Sequence, residues 1–141
     1  MEICIDFDGT CVTHEFPKVG KDIGAVPVLK KIVEAGHKLI LFTMRSNRPV
    51  PNETGDPTIM DVTGMFLDDA VNWFKQNDIP LYGINVNPTQ KAWSSSPKAY
   101  GHYIIDDTAI GCPLIWDKKL SDKPFVNWAQ IYNELQMKKI L

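Results

Sequence analysis

A chain of 141 residues, 44% of them hydrophobic, has the length and apolar content of one globular domain with a real core. Its formal net charge of −2 gives no bulk attraction to nucleic acid, and only a local basic patch would supply one. No stretch approaches the ~18 apolar residues of a membrane span, and no basic-then-apolar leader opens the chain, so the sequence predicts a cytoplasmic protein without membrane partners.

Met1–Phe7 reads as an apolar strand, and Thr10–Gly24 as a polar loop with Pro17 and glycines. Pro27–Ala35 reads as a helix, with Val28, Leu29, Ile32 and Val33 as its stripe, Asp22 near its start and Gly36 as its stop. His37–Phe42 is near-continuously apolar, as a buried parallel strand is, and Thr43 stands at its end. Arg45–Thr63 is a long polar loop with prolines, the natural local lid, and is predicted to be mobile without ligand. Met65–Gln76 is a helix with Met65, Phe66, Ala70, Trp73 and Phe74 on its apolar face, ended by Asn77 and Asp78. Leu81–Val86 reads as a third strand, Asn87–Lys98 as a loop and Tyr100–Ile105 as a fourth strand. Pro113–Trp116 reads as a short fifth strand and Phe125–Leu135 as a closing helix. Strands and helices alternate without a repeat or linker. We therefore expect one domain over 1–141, an α/β, three-layer, Rossmann-like fold with a mainly parallel central sheet.

In such sheets ligands gather at the C-terminal ends of the strands. Those ends carry Asp6 and Asp8 after the first strand, Thr43 after the second, and Asp106 and Asp107 after the fourth. On an extended strand, residues i and i+2 point the same way, so Asp6 and Asp8 repel unless a cation or a proton lies between them. Carboxylates, a hydroxyl and a lysine together suit Mg²⁺ with a phosphate, because Mg²⁺ prefers oxygen ligands and is commonly shared with substrate phosphate. The three cysteines, Cys4, Cys11 and Cys112, are an odd number without metal-ligand spacing and read as reduced thiols. Cys11, beside the first turn, is a minor candidate for a catalytic thiol.

Asp6-Phe7-Asp8-Gly9-Thr10, Leu39–Thr43 with its terminal threonine, Lys98, and Ile104-Ile105-Asp106-Asp107 come in the order of the four motifs of the haloacid dehalogenase-like superfamily of phosphohydrolases, which the chain resembles from residue 6 to residue 107. The resemblance implies a Mg²⁺-dependent phosphatase acting on phosphomonoesters. Asp6 would be the nucleophile that forms an aspartyl-phosphate, and Asp8 the general acid and then base. Asp6, the backbone carbonyl of Asp8, and Asp106 or Asp107 would hold Mg²⁺. Thr43 and Lys98 would grip the phosphoryl group. Gly9, Thr10, Met44 and Arg45 complete the expected substrate-binding set, with Gly9 allowing close backbone approach and Thr10 steadying Asp8.

Each residue also has a plainer reading. Thr43 would merely end a strand, Arg45 would be a surface arginine, and Lys91 competes with Lys98 for the phosphate. His14, His37 and His102 show no zinc-like clustering. Trp73 and Trp128 fall on helical apolar faces, while Trp93, in a loop, is a candidate substrate contact. The gaps between motifs leave no room for a cap domain, which by resemblance favours an open site, a macromolecular phosphate ester, or a second copy of the chain as lid. Two further classes remain: a phosphate-binding or regulatory relative without turnover, and a receiver-type signalling domain, which the late position of the adjacent acids disfavours. Sugar phosphates, nucleotides and nucleic-acid ends all stay open as substrates.

Overall fold

The computed structural model of the chain describes residues 1–51, 54–59 and 61–141. In chain order the elements are β1 (Glu2–Ile5), α1 (Ala25–Glu34), β2 (Lys38–Leu41), β3 (Asn47–Arg48), β4 (Gly64–Met65), α2 (Phe66–Gln76), β5 (Gly83–Ile84), a 3-10 turn (Gln90–Ala92), β6 (Tyr103–Ile105), β7 (Leu114–Ile115), β8 (Phe125–Val126) and α3 (Trp128–Met137). The fold is α/β, Rossmann-like, around a parallel central sheet of order β5-β2-β1-β6.

Strand alternation builds the layers. Ile3, Ile5, Leu39 and Leu41 share one core with Leu29 and Ile32 of α1, Ala70 and Phe74 of α2, and Ile131 and Leu135 of α3. Cys4 and Ile40 point the other way and are equally buried. There the connection from β5 to β6 closes over the sheet: the Cys4 thiol reaches the carbonyl of Ala99, and Gly101 packs against Cys4. The third layer is thus this connection with its 3-10 turn. The chain steps from β1 to β2 to β5 in one direction, then returns to place β6 on the far side of β1. The order reverses between β1 and β6, the position where open α/β sheets bind ligands.

The local signals mostly hold. Gly36 ends α1 with a φ of 85°, and Asn127 caps α3 by accepting from the Gln130 amide at 3.1 Å. The expected closing helix starts later than predicted, because Phe125 and Val126 pair antiparallel with Ile115 and Leu114. The predicted fifth strand therefore forms this separate ribbon instead of joining the parallel sheet. The third strand shrinks to two residues, pinched between Pro80 and the left-handed Asn85.

The predicted 45–63 loop is tied at its base. Asn47 and Arg48 pair with Met65 and Gly64, and the Asn47 carboxamide oxygen accepts the Leu67 and Asp68 amides, each at 3.1 Å. Asn47 thus caps α2, whose own first residues offer no side-chain cap. Part of that predicted mobile lid, Asn52, Glu53 and Met60, lies outside the described residues.

Replacing Asn47 with Ala strands two helix-end amides and lowers stability by about 1–2 kcal/mol. Urea denaturation checks it: the midpoint falls while the slope is unchanged.

Candidate functional site

Ile5 of β1 lies opposite Ile105 of β6, so the next residues, Asp6 and Asp106, leave the sheet together. The Asp6 amide extends the ladder by one bond, to the Ile105 carbonyl at 3.0 Å. Asp6, Asp106 and Asp107 each bring an oxygen to within 4.8 Å of the others. Asp6 feels this crowding. Burial, first, pushes its carboxyl up to about 7; the charges of Asp106 and Asp107 add to the rise, and hydrogen bonds from the Phe7 amide and the Thr10 hydroxyl restrain it. A set of oxygen donors with more negative charge than it can bear fits a hard dication such as Mg²⁺.

Thr10 is fully buried beneath this cluster. Its hydroxyl lies 3.0 Å from Asp6 Oδ2 and 3.2 Å from Asp107 Oδ1, and accepts the Asp107 amide at 3.1 Å. Its carbonyl accepts the Trp128 indole N–H at 2.7 Å. Thr10 therefore steadies Asp6 and Asp107, not Asp8 as the sequence suggested. His14, which the sequence gave no role, donates from Nε2 to Asp107 Oδ2 at 2.8 Å. Gly9, at φ 80°, makes room for that contact: a Cβ there would collide with both the imidazole and the Asp107 carboxylate. The only sequence signal for His14 was its place in the same loop as the first acids.

Asp8 takes a different course. β1 ends at Ile5, so Asp8 sits in a turn where the strand's two-residue alternation no longer applies. Its carboxylate leaves the Asp6 group and meets Arg45, Oδ2 to Nε at 2.7 Å and Oδ1 to Nη2 at 2.8 Å. The expected cation between acids is thus a guanidinium on Asp8 alone. Arg45 is 4% exposed and lies over the rings of Phe7 and Phe16, 5.0 and 5.1 Å from their centres. Its remaining N–H groups donate to the carbonyls of Pro17, Lys18 and Phe66. The reading of Arg45 as a substrate contact is corrected: every nitrogen of its fork is spent on the protein.

Thr43 stands at the end of β2, beside β1. Its amide donates to Asn85 Oδ1 at 2.8 Å, and its hydroxyl accepts the Arg45 amide at 3.1 Å. Met44 is 97% exposed at the same edge, and Ile110, three residues past Asp107, is fully exposed. Among the described residues Lys98 forms no ion pair with these carboxylates; it is exposed, and its backbone is held by Gln90 and Ser96. Lys91 sits in the 3-10 turn of the same connection. Trp93 stacks edge-on with Tyr100 beside Glu2, at the N-terminal edge of the sheet, so it is not a contact of this site. His102 pairs with Glu2 there and is structural. The Cys11 thiol is fully buried and donates to the Asp6 carbonyl; burial first, then Asp6 and Asp8, push it well up, which removes it as a nucleophile. All three cysteines are free, and among the described residues no helix is long and apolar enough to cross a membrane.

No family model and no curated protein matches the chain. It is similar to a solved structure from Bacteroides thetaiotaomicron described as a conserved protein, with 27% sequence identity and a TM-score of 0.70 over 98% of this chain and 91% of that one. The likeness carries the fold across nearly the whole length and does not speak to chemistry.

Two measurements probe this arrangement. Asp8→Asn leaves a buried guanidinium without its counter-charge and costs about 3–5 kcal/mol; a substrate-binding Arg45 would leave stability nearly unchanged in urea denaturation. Without metal, Asp6 holds a proton up to about 7 when folded and only up to its ordinary 3.8 when unfolded. The folded state therefore binds the extra proton between those values, and stability falls as pH rises through that window. The loss is on the order of 2–4 kcal/mol between about pH 4 and pH 8. Asp6→Asn flattens this dependence, as measured by urea midpoints in the presence of chelator.

Proposed function

We propose that this chain is a Mg²⁺-dependent phosphatase of the haloacid dehalogenase type that hydrolyses a phosphomonoester through an aspartyl-phosphate on Asp6. One observation carries the reading: Asp6 lies at the reversal point of the sheet, crowded by Asp106 and Asp107, and among the described residues it has no ion pair. A structural carboxylate in such surroundings would be given a cationic side chain. One left without is arranged for a cation and an anion that arrive from solution.

In this reading an Asp6 oxygen attacks phosphorus, the P–O bond to the leaving group breaks, and that oxygen departs with a proton from Asp8. Asp8 then takes a proton from the water that attacks the aspartyl-phosphate, releasing phosphate and restoring Asp6. Asp6, the Asp8 carbonyl and an acid of the Asp106–Asp107 pair would hold Mg²⁺, which would supply positive charge against the phosphoryl oxygens. For its part Asp8 has to release at least one arm of the Arg45 fork. The Thr43 hydroxyl, at the neighbouring strand end, is supported as a phosphoryl donor by its place on the same edge. Lys98 keeps the phosphate-gripping role by resemblance alone. The open edge suits a small phosphate ester or the phosphorylated end of a larger molecule.

The Asp8–Arg45 pair favours one second reading, a relative that binds phosphate and metal but turns over little, because its acid is fully engaged. Hydrolysis of an aryl phosphate separates the two. Mg²⁺-dependent release that chelator stops and Asp6→Asn reduces by at least ~10³-fold supports the phosphatase; Asp6→Asn at near wild-type rate removes Asp6 from its role. Lys98→Ala slows release about 10-fold or more while Lys91→Ala changes little, and the reverse result transfers the role to Lys91.

A further inference from the structure

The two acids that follow β6 are not equivalent. Both oxygens of Asp107 have a partner in the protein: Oδ2 meets His14 Nε2, and Oδ1 shares the single Thr10 hydroxyl proton with Asp6 Oδ2. Asp106 is engaged through Oδ1 only, which accepts the Thr108 amide at 2.8 Å and its hydroxyl at 2.7 Å. Among the described residues Asp106 Oδ2 has no hydrogen bond. An ionised carboxylate only accepts, so the imidazole proton of the His14 contact is on Nε2. The His14 side chain is 24% exposed and that of Asp107 is 9% exposed, so the imidazole covers the more buried acid. The glycine at position 9 fits the same arrangement, since any Cβ there would push into both partners.

We propose that His14 is a positioning residue of the metal site: it holds Asp107 as an orienting acid, locked between Thr10 and the imidazole, and leaves Asp6 and Asp106 to present oxygens directly to the cation. The assignment rests on the reading of the three carboxylates as a Mg²⁺ site. Hydrogen-bond partners of ligating groups fix ligand orientation, and their loss typically weakens metal affinity 10–100-fold. His14 acts here as an N–H donor at a fixed place. A glutamine, whose terminal amide can reach the same oxygen, keeps that function, and an alanine does not.

Direct binding of Mn²⁺, a Mg²⁺ surrogate counted by its spin-resonance signal, tests this without turnover. In purified protein, His14→Ala weakens Mn²⁺ binding about 10–100-fold, His14→Gln restores it to within about 3-fold, and Asp106→Asn lowers it beyond either. The metal-free melting temperature of His14→Ala stays within a few degrees of wild type, which separates lost positioning from lost folding. In the hydrolysis assay the same variant raises the Mg²⁺ concentration needed for half-maximal rate more than it lowers the rate at saturating Mg²⁺. Wild-type affinity in His14→Ala overturns the inference, as does a His14→Gln no better than alanine. Wild-type affinity in Asp106→Asn overturns the division between the two acids. Absence of Mn²⁺ binding in the wild type overturns the metal-site reading itself.

Discussion

The mutual repulsion of carboxylates at the ends of β1 and β6 is the constraint around which the rest of this protein is arranged. Parallel pairing of Ile5 with Ile105 leaves Asp6 and Asp106 no choice but to emerge side by side. With oxygens within 4.8 Å of one another and an effective dielectric of about 20, a pair of like charges costs on the order of 3–4 kcal/mol. That is comparable to a large share of the 5–15 kcal/mol by which a domain is stable. A fold that accepts such a cost has to neutralise the charge internally or reserve it for a ligand, and this chain neutralises part of it internally.

The internal part is allotted residue by residue. Asp8 receives a complete guanidinium, with two flanking rings to cover it. Asp107 receives a hydroxyl and an imidazole. Asp106 binds its own turn through one oxygen. Asp6 receives hydrogen bonds but no counter-charge, and burial first, then its acidic neighbours, push its carboxyl up. The gradient from compensated to uncompensated runs from Asp8 to Asp6 across two residues of one turn. Gly9 and Thr10 make that turn possible, one by lacking a side chain where Asp107 and His14 meet, the other by placing its hydroxyl between two acids.

The sheet and the clustering of Asp6, Asp106 and Asp107 were legible in the sequence because apolar runs and the strand-end rule act locally. The fates of Asp8 and Arg45 were not. Strand periodicity was carried past the end of β1, and a polar, proline-containing loop gave no sign that Arg45 would be buried by Phe16, Pro17 and Lys18 from another loop. His14 was hidden for the same reason, since its partner is 93 residues away. For Lys98 the order in the sequence suits a motif, and its carbonyl is tied to Gln90 within the connection between β5 and β6. The β7–β8 ribbon escaped because two short apolar segments carry no mark of whether they join a large sheet or each other.

Met44 and Ile110 stand almost bare on either side of the carboxylate edge. A ligand at this edge would meet concentrated charge at the centre and these two exposed apolar side chains at the margin. Apolar contacts of that kind separate molecules differing by a methylene by only about 1–3 kcal/mol, far less than a buried hydrogen bond made to measure. In the proposed phosphatase such an edge would choose its substrates by their charged end and tolerate wide variation in the remainder.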